Sequence, residues 1–407
     1  MSKRISAIVF IYVCTSIGWL ILAGTVLVRT NTQGLSLRQA VSKLWGTSQS
    51  QRAPVAYNRS GGGDSAKPKQ HLSPSASDLN VDIALEYRKK GLQWYSTYRV
   101  KFAGTYEFSN DSENQKDLSI TFALPAQNAI YDNFHFFVGD KEIESIDLQS
   151  GVVTTALTLK PGRTEKIRVS YESQGMESWY YDFGDNVSQV RNFSLALQTD
   201  FAGIDFPDDS ISPTAKQQTP QGWQLSWKYE NLLTGVRIGL VLPEKLNPGP
   251  WVARVTGAAP VSLFLYFFIL FVLTTVRDIK IHPMNFFFIG TAFFSFHLLL
   301  AYLVDHISVH TAFWICSAVS IFLVVSYMRL VVGLRRAFVE IALSQLVYLV
   351  FFSYTFFFKG YTGLAITILC ICTLFVIMQS TARVNWEEVF ERGRRQGQPP
   401  VPPTSEG

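Results

Sequence analysis

Long apolar stretches occur near both ends of this chain, and the segment between them alternates between apolar and polar positions. The first stretch covers residues 7–28 and follows Lys3 and Arg4. A helix needs about 20 apolar residues to cross a bilayer. The pattern predicts six transmembrane helices, of which the first is an uncleaved anchor over residues 1–28, with a cleaved signal peptide as the alternative. The other five stretches cover residues 258–276, 283–304, 311–327, 338–358 and 363–378.

Basic residues favour one orientation of these helices. If the N-terminus is cytoplasmic, the two short outer loops contain only Lys359, and cytoplasmic loops of membrane proteins carry the excess of Lys and Arg. We therefore predict that both termini are cytoplasmic and that the large domain lies outside the cytoplasm. The basic residues then assigned to the cytoplasmic side are Lys3, Arg4, Arg277, Lys280, Arg329, Arg335, Arg336, Arg383, Arg392, Arg394 and Arg395.

The long middle segment changes to a period of two, which is typical of strands with one buried face. Turn sequences separate these runs, and the polar loop SNDSENQK between the first two suggests a hairpin. Many short strands with turns between them predict an antiparallel all-β sandwich. The alternating runs lie at residues 98–108, 118–124, 167–171, 193–197, 223–229 and 236–242.

A segment of different composition separates the anchor from the strands. Ser, Gly, Pro and Gln are abundant over residues 46–77, and no periodicity is present. Such a sequence buries too little apolar area to offset its chain entropy. We predict a flexible linker region over 29–77, a β-sandwich domain over 78–250, five transmembrane helices over 251–382 and a disordered cytoplasmic tail over 383–407.

Composition supports a membrane protein. Apolar residues make up 48% of the 407 residues and charged residues 16%, whereas soluble proteins have roughly a quarter charged residues. The formal charge of +5 is modest, and we predict no nucleic-acid partner. All four cysteines lie in apolar stretches, so the middle domain has no disulfide framework.

Motifs for chemistry are scarce. The sequence lacks GxSxG, HExxH, P-loop and GxGxxG motifs, so we predict no enzyme, no cofactor and no metal site. The aromatic run MESWYYDFG at residues 176–184 suggests a binding strip, although core packing of a β domain is the simpler interpretation. The acidic turn DFPDDS at residues 205–210 lacks the ligand spacing of a calcium loop, which favours a solvated turn.

Polar residues inside apolar stretches are costly in a bilayer and are therefore the candidate functional residues. His297 lies near the middle of its helix. There we expect packing or a hydrogen bond to a neighbouring hydroxyl, with a proton relay or a ligand contact as alternatives. Gln345 is the other deep candidate. Glu340 follows Arg336 by four residues, which predicts an ion pair at the cytoplasmic interface.

The third apolar stretch is followed by Asp305 and His306, and the next stretch is preceded by His310. We expect these side chains to form a small cluster at the outer surface. Polar capping of a short turn is the simpler interpretation, and binding of a divalent metal or pH sensing is the alternative.

The sequence IHPMNFFFIGTAFFSFHLLLAYLVDHI and the closing STARVNWEEV resemble the CreD family of bacterial inner-membrane proteins. The resemblance is carried by an Ile-His-Pro start at residue 281, a Leu-rich middle at residues 298–300 and the acidic-His pair Asp305-His306. It covers residues 255 to 389 well and the outer half loosely. The aromatic-proline segment usual in the family is not evident, and His297 replaces an aromatic or aliphatic residue, which argues against a family-wide role for it.

The resemblance implies a Gram-negative inner-membrane protein linked to envelope integrity and stress tolerance. We therefore expect a binding function, in which the periplasmic β domain holds an unidentified periplasmic protein or cell-wall component near the lipid bilayer. A transporter or channel subunit and a membrane-anchored periplasmic enzyme are the alternatives. The oligomeric state does not follow from the sequence.

Overall fold

The chain divides into two compact units. The computed structural model describes residues 2–59, 71–127, 129–144, 151–184, 188–277, 279, 281–333, 335 and 337–382. We call Met1–Gln33 together with Asn247–Gly407 the helical unit, and Gly34–Leu246 the β unit. The predicted combination of long apolar helices with a β domain is thereby confirmed.

Six helices in the described part of the chain are long and apolar enough to cross a membrane. Each of them overlaps one of the predicted apolar stretches. A helix satisfies its backbone hydrogen bonds within one segment, which is what a bilayer requires of a spanning element. The helices are α1 (Ser2–Trp45), α2 (Pro248–Val276), α3 (Pro283–Leu303), α4 (Val309–Val332), α5 (Val339–Phe357) and α6 (Thr362–Thr381).

Local sequence determines where several of these helices begin and end. Pro248 and Pro283 open α2 and α3, at the position where the missing N–H of proline costs nothing. The Nδ1 atom of His282 and the Oγ atom of Ser308 each accept a bond from a backbone N–H in the first turn of α3 and α4, both at 3.2 Å. Gly333, with a φ of 87°, ends α4.

The helix α5 departs from regular α-helical geometry. Two π-helical stretches, Ala337–Ala342 and Leu346–Phe351, flank the α-helical turn Leu343–Gln345. A π-helical turn adds a residue to the turn and rotates the side chains that follow, and such turns occur frequently at functional sites. The hydrophobic pattern contains no signal for this feature.

The β unit contains an eight-stranded, a four-stranded and a three-stranded sheet. Their strand orders are β13-β14-β12-β4-β5-β10-β7-β8, β3-β2-β6-β9 and β1-β11-β15. The strands are β1 (Gln49–Arg52), β2 (Val55–Asn58), β3 (His71–Leu72), β4 (Ala76–Lys90), β5 (Gln93–Ser109), β6 (Lys116–Ala123), β7 (Tyr131–Val138), β8 (Lys141–Glu142), β9 (Val152–Leu159), β10 (Thr164–Met176), β11 (Ser178–Asp182), β12 (Ser188–Thr199), β13 (Ala215–Gln218), β14 (Trp223–Thr234) and β15 (Ile238–Val241).

One hydrophobic core joins the three sheets. It includes Phe136 of the eight-stranded sheet, Phe122 of the four-stranded sheet and Trp179 of the three-stranded sheet, each with no exposed surface. The ring centroids of Phe122 and Phe136 lie 6.0 Å apart. The alternating apolar positions of the sequence therefore point inward from each sheet to a common core.

Two details of strand pairing differ from the prediction. The sheets are not purely antiparallel, because β4 pairs in parallel with β12 and β1 pairs in parallel with β11. The polar loop after β5 does not close a hairpin either, since β5 pairs with β4 and β10 whereas β6 pairs with β2 and β9. That loop carries the chain from one sheet to another, which periodicity alone does not distinguish from a hairpin.

The prediction of a flexible linker over residues 29–77 is wrong for its described part. The helix α1 continues to Trp45, and β1, β2 and β3 belong to the sheets. Gln49 and Gln51 are fully buried, where Gln49 Nε2 donates to Ser173 Oγ at 2.9 Å and Tyr171 OH donates to Gln51 Oε1 at 2.8 Å. These polar residues are buried because they form hydrogen bonds, and not because they contribute apolar area. A rule that counts apolar residues therefore predicted disorder here. The predicted tail over 383–407 lies outside the described residues.

Candidate functional site

His297 lies among aromatic side chains inside the helical unit. Its side chain is 1% exposed, and its ring centroid lies 5.8 Å from that of Trp19 on α1 and 4.9 Å from that of Phe296. The Nδ1 atom lies 3.4 Å from the carbonyl oxygen of Phe293 in the same helix. The Nε2 atom has no hydrogen-bond partner among the described residues. His297 is therefore packed as expected, but the expected bond to a neighbouring hydroxyl is not formed.

Gln345 links three helices. Its side chain is fully buried, and Nε2 donates to the Oγ atom of Ser320 on α4 at 2.8 Å. The Ser320 hydroxyl in turn donates to the carbonyl oxygen of Ala292 on α3 at 2.6 Å. Ser320 was missed by the sequence analysis, because a serine in an apolar helix can bond to a carbonyl of its own helix and therefore gives no signal for a contact with another helix. These two hydrogen bonds connect α3, α4 and α5 at the positions of Ala292, Ser320 and Gln345.

These residues form what we call the buried polar cluster, defined as Trp19, Tyr266, His297, Ser320 and Gln345. The cluster surrounds one region of α3, since the ring centroid of Phe293 lies between 5.6 and 6.0 Å from those of the three ring-bearing members. Within the described chain, Trp19 Nε1, Tyr266 OH, His297 Nε2 and Gln345 Oε1 are buried without a hydrogen-bond partner. An unpaired buried polar group costs about 1–3 kcal/mol.

The predicted cluster of Asp305, His306 and His310 does not assemble. Asp305 Oδ2 lies 3.2 Å from Nη1 of Arg29 on α1, whereas His306 is exposed and His310 stacks on Phe357 with the centroids 4.5 Å apart. No group of three or more potential metal ligands occurs among the residues that the structure describes. Arg29 was missed because the sequence analysis assigned it to the linker.

Glu340 pairs with Arg277, the residue that caps the C-terminus of α2. The sequence predicted a pair with Arg336, which lies outside the described residues. A cation at a helix C-terminus is favourable because the carbonyl groups there carry partial negative charge. The ion pair therefore connects the end of α2 to the start of α5, a contact between helices that spacing along one helix does not reveal.

A groove on the helical unit is almost purely apolar. It encloses about 420 Å³ between α1 and α2. A groove of this chemistry suits lipid chains rather than a polar solute. Its lining residues are Ile5, Ile8, Val9, Tyr12, Val13, Phe264, Phe267, Phe268 and Phe271.

The aromatic run at residues 176–184 is mainly part of the core of the β unit. Trp179 and Tyr181 are buried, and burial raises the pKa of the Tyr181 hydroxyl. Tyr180 is half-buried beneath Arg237, whose guanidinium carbon lies 3.8 Å from the ring centroid. Arg237 Nη2 also donates to Asp209 of the acidic turn at 2.6 Å. The interpretation of this run as core packing is confirmed.

Two neighbouring grooves of about 370 and 350 Å³ lie on the β unit, and both are lined by His71, Ser73 and Ser188. We call them together the polar groove. The sequence analysis missed it because its residues come from segments that are distant along the chain, including the predicted linker. Its further lining residues are Arg52, Ala53, Val55, Tyr57, Leu72, Pro74, Ser75, Ser109, Asp111, Lys116, Thr121, Ala123, Phe183, Gly184, Gln189 and Arg191.

Comparison with known proteins identifies the family. The family profile described as inner membrane protein CreD matches residues 1–387, and no curated protein matches the chain. A crystal structure from Legionella pneumophila, provisionally described as a nutrient binding protein, is similar over 54% of this chain and 76% of that chain. At 10% identity and a TM-score of 0.31, that similarity carries no argument about fold or function. The family match spans both units, and this chain therefore belongs to the CreD family of inner membrane proteins.

Proposed function

We propose that this protein maintains the cell envelope by binding rather than by catalysis. The β unit lies in the periplasm and holds an envelope component in the polar groove, and the helices anchor it in the inner membrane. The polar groove carries this proposal, because it is a large concave surface of the β unit whose lining can form hydrogen bonds with a ligand.

The chemistry of the groove favours a polar, anionic ligand. Arg52, Lys116 and Arg191 contribute positive charge against Asp111, while serine hydroxyls offer hydrogen bonds. Tyr57 supplies an aromatic ring that is partly exposed. Sugar chains bearing carboxylates combine these requirements, since rings stack on aromatic side chains and carboxylates pair with arginine. The bacterial cell wall is the envelope component of this chemistry.

Orientation of the helices is part of the proposal. Both termini are cytoplasmic, which is supported by the basic residues that flank the helices, among them Arg277, Arg329 and Arg335. The segment between α1 and α2 then lies in the periplasm, beside the cell wall. Addition of a single cysteine at the exposed position Leu233 tests this, because a membrane-impermeant thiol reagent labels it in intact spheroplasts only if the β unit is periplasmic.

Cosedimentation of the full-length protein with purified cell-wall sacculi tests the ligand. The wild-type protein in detergent is expected to sediment with the sacculi, and the double variant Arg191→Glu/Lys116→Glu is expected to lose at least tenfold in bound fraction. The matched control Lys160→Glu/Arg163→Glu reverses the same charges at exposed positions outside the polar groove. Equal loss in both variants, or no sedimentation of the wild type, would contradict the proposal.

The same variants separate binding from catalysis. A deletion strain that carries the groove variant is expected to remain sensitive to detergent, whereas the control variant restores resistance. Chromatography of the sacculi after incubation is expected to show no released fragment. Released fragments that depend on the polar groove would instead identify the protein as an anchored enzyme.

The buried polar cluster favours a second function, a pathway for protons or small solutes through the helices. The variants His297→Phe and Gln345→Leu remove two of its unpaired atoms while roughly conserving side-chain volume. Binding through the β unit predicts that both variants restore detergent resistance at normal protein level. Failure of both at normal protein level would assign the function to the helices.

A further inference from the structure

The strand β9 is an edge of the four-stranded sheet, and its outward backbone over residues 154–158 is open in the part of the chain that the structure describes. Its eight residues, VVTTALTL, contain no charge, no proline and no glycine, and its pairing with β6 is uninterrupted. Natural sheets protect long edges with such residues or with bulges. The other edge strands, β1, β3, β8, β13 and β15, are only two to four residues long.

The hydrogen-bond register shows which backbone groups of β9 face outward. The N–H of Leu124 donates to the carbonyl of Gly151 at 2.9 Å, so this pair is hydrogen-bonded. Hydrogen-bonded pairs alternate along an antiparallel ladder, and the odd-numbered residues of β9 therefore face β6. The backbone groups of Thr154, Ala156 and Thr158 point to the open side.

The opposite edge of β6 gives the same register independently. The N–H of Arg59 donates to the carbonyl of Asp117 at 2.8 Å, so the odd-numbered residues of β6 face β2. Their even-numbered neighbours then face β9, and these pair with odd-numbered residues of β9. No residue in the described chain forms a hydrogen bond with the outward backbone groups of Thr154, Ala156 or Thr158.

Side chains do not obstruct this edge. Thr154, Ala156 and Thr158 are all exposed and small. Among the described residues, Thr158 is the member of this set with a side-chain bond, in which its Oγ1 donates to Asp117 Oδ1 at 2.8 Å on the neighbouring strand. A further strand is therefore able to approach the backbone over at least five residues.

We propose that a second copy of this chain pairs with this edge, β9 against β9, in antiparallel orientation about a two-fold axis at Ala156. Ala156 then faces Ala156 of the second copy, and Thr154 faces Thr158. Roughly six backbone hydrogen bonds form, two for each of the three outward pairs. The two four-stranded sheets become one continuous sheet. This interface is separate from the polar groove and goes beyond the proposed function.

Self-complementarity of the edge identifies a second copy as the occupant. The outward residues Thr154, Ala156 and Thr158 give Thr-Ala-Thr whichever way the strand runs. In the antiparallel pair, a threonine of one copy therefore lies opposite a threonine of the other. Such cross-strand pairs are favourable, and alanine opposite alanine leaves no clash at the axis. The absence of charge on β9 removes repulsion between copies, and two-fold symmetry closes the assembly at a dimer.

Cysteine crosslinking of the full-length protein tests both the dimer and its register. The four native cysteines lie in α1, α4 and α6, so a polar, membrane-impermeant crosslinker does not reach them and the unsubstituted chain is the blank. The test uses membrane preparations in which the crosslinker reaches both faces, so its result does not depend on the proposed orientation. The crosslinker is a short bismaleimide, because opposed Cα atoms of a hydrogen-bonded pair lie about 5.5 Å apart.

The register predicts a specific pattern of products. Ala156→Cys alone is expected to give most of the protein as a dimer. Thr154→Cys alone and Thr158→Cys alone are expected to give at least fivefold less, because like positions lie about 14 Å apart along the strands. Coexpression of these two variants is expected to restore the dimer, since position 154 faces position 158.

Three outcomes would overturn the proposal. Equal crosslinking of every single variant would indicate random collision, and no crosslinking would show that the edge is unpaired. A product of Ala156→Cys with a different protein would show that a foreign strand occupies the edge.

A charge exchange tests the same interface without any crosslinker. Chains with Thr154→Lys/Thr158→Lys, or with Thr154→Glu/Thr158→Glu, place like charges opposite each other and are expected to purify as monomers. Coexpression of the two chains, each with a different affinity tag, is expected to restore a mixed dimer. Both substituted positions are exposed. Because Asp117 lies beside position 158, lysine there is favoured over glutamate, and circular dichroism of each purified chain checks that both variants fold. Dimers of either variant alone would contradict the pairing.

Discussion

The helical unit and the β unit use apolar and polar side chains in opposite ways. In the helical unit, large apolar side chains such as Phe264 and Leu330 are 51% and 79% exposed, which a bilayer favours and water does not. In the β unit, side chains of the same kind are buried in one core and the grooves are polar. The same composition therefore has a different meaning in each unit.

Buried polar groups occur in both units. In the β unit, the buried Gln51 accepts a hydrogen bond from Tyr171, and its Nε2 atom donates to the carbonyl oxygen of Ala123 at 3.1 Å. In the helical unit, His297 and Gln345 each keep an atom without a partner among the described residues. The β unit likewise has buried atoms without a partner among the described residues, such as Gln49 Oε1, Tyr106 OH and Trp179 Nε1, so unpaired polar atoms alone do not distinguish the units. The following predictions are ways to separate the two units.

Removal of a core side chain is expected to unfold the β unit and spare the helices. Trp227 is fully buried, and its Nε1 donates to the carbonyl of Ile211 at 3.0 Å. Trp227→Ala leaves a cavity and an unpaired carbonyl, with an expected loss of about 3–5 kcal/mol. Limited proteolysis in detergent should then digest the β unit while the helical fragment survives. Leu233→Ala, at a 70% exposed position, is the control, and equal sensitivity of both variants would refute the assignment of the core.

Alkaline pH is expected to destabilise the β unit through its buried tyrosines. Burial raises the pKa of Tyr131 to about 12 and also raises the pKa of Tyr98, Tyr106 and Tyr171. An unfolded tyrosine titrates near pH 10. The unfolded chain therefore loses protons first, so this stabilisation is complete below about pH 10 and is lost as the pH rises through the folded pKa.

Near-ultraviolet circular dichroism and phenolate absorbance measure this effect in the full-length protein. The Tyr131→Phe variant should lose less stability between pH 10 and 12 than the wild type does, because it has one titrating group fewer. Identical pH dependence of both proteins would show that Tyr131 ionises normally in the folded state.

The ion pair between Arg29 and Asp305 is expected to stabilise the helical unit by roughly 1–3 kcal/mol. The side chain of Arg29 is 33% exposed and that of Asp305 is 17% exposed, so we expect the interaction energy to lie between those of surface pairs and buried pairs. A double-mutant cycle with Arg29→Ala and Asp305→Ala, measured by thermal unfolding in detergent, isolates the interaction. Additive losses would mean that the two residues do not interact.

The pair between Arg277 and Glu340 is expected to have the smallest effect. Arg277 is half-exposed, and exposed pairs contribute about 0.2–1 kcal/mol. The cycle Arg277→Gln with Glu340→Gln should show coupling, whereas Arg329→Gln with Glu340→Gln should show none, because Arg329 is exposed and forms no ion pair with Glu340 in the described structure. Coupling at Arg329 instead would refute the connection between α2 and α5.

Sequence reasoning located elements well because their signals are local. The apolar stretch at residues 283–304 almost coincides with α3 (Pro283–Leu303), since Pro283 and the length of the stretch determine its start and extent. The alternating run at 98–108 lies within β5 for the same reason. The family also followed from local patterns, and the family match over residues 1–387 confirms it.

Contacts between distant residues were decided by the tertiary structure alone. The partner of Glu340 is Arg277 on another helix, and the partner of Asp305 is Arg29 on α1, near the other end of the chain. The side chains of Gln49 and Gln51 each bond to a residue that is distant along the chain, and the polar groove collects side chains from separate segments. Periodicity and composition indicate which side chains of a segment are exposed and which are buried. They do not indicate which other segment packs beside it. Strand pairing, register and unpaired buried atoms all depend on that neighbouring segment.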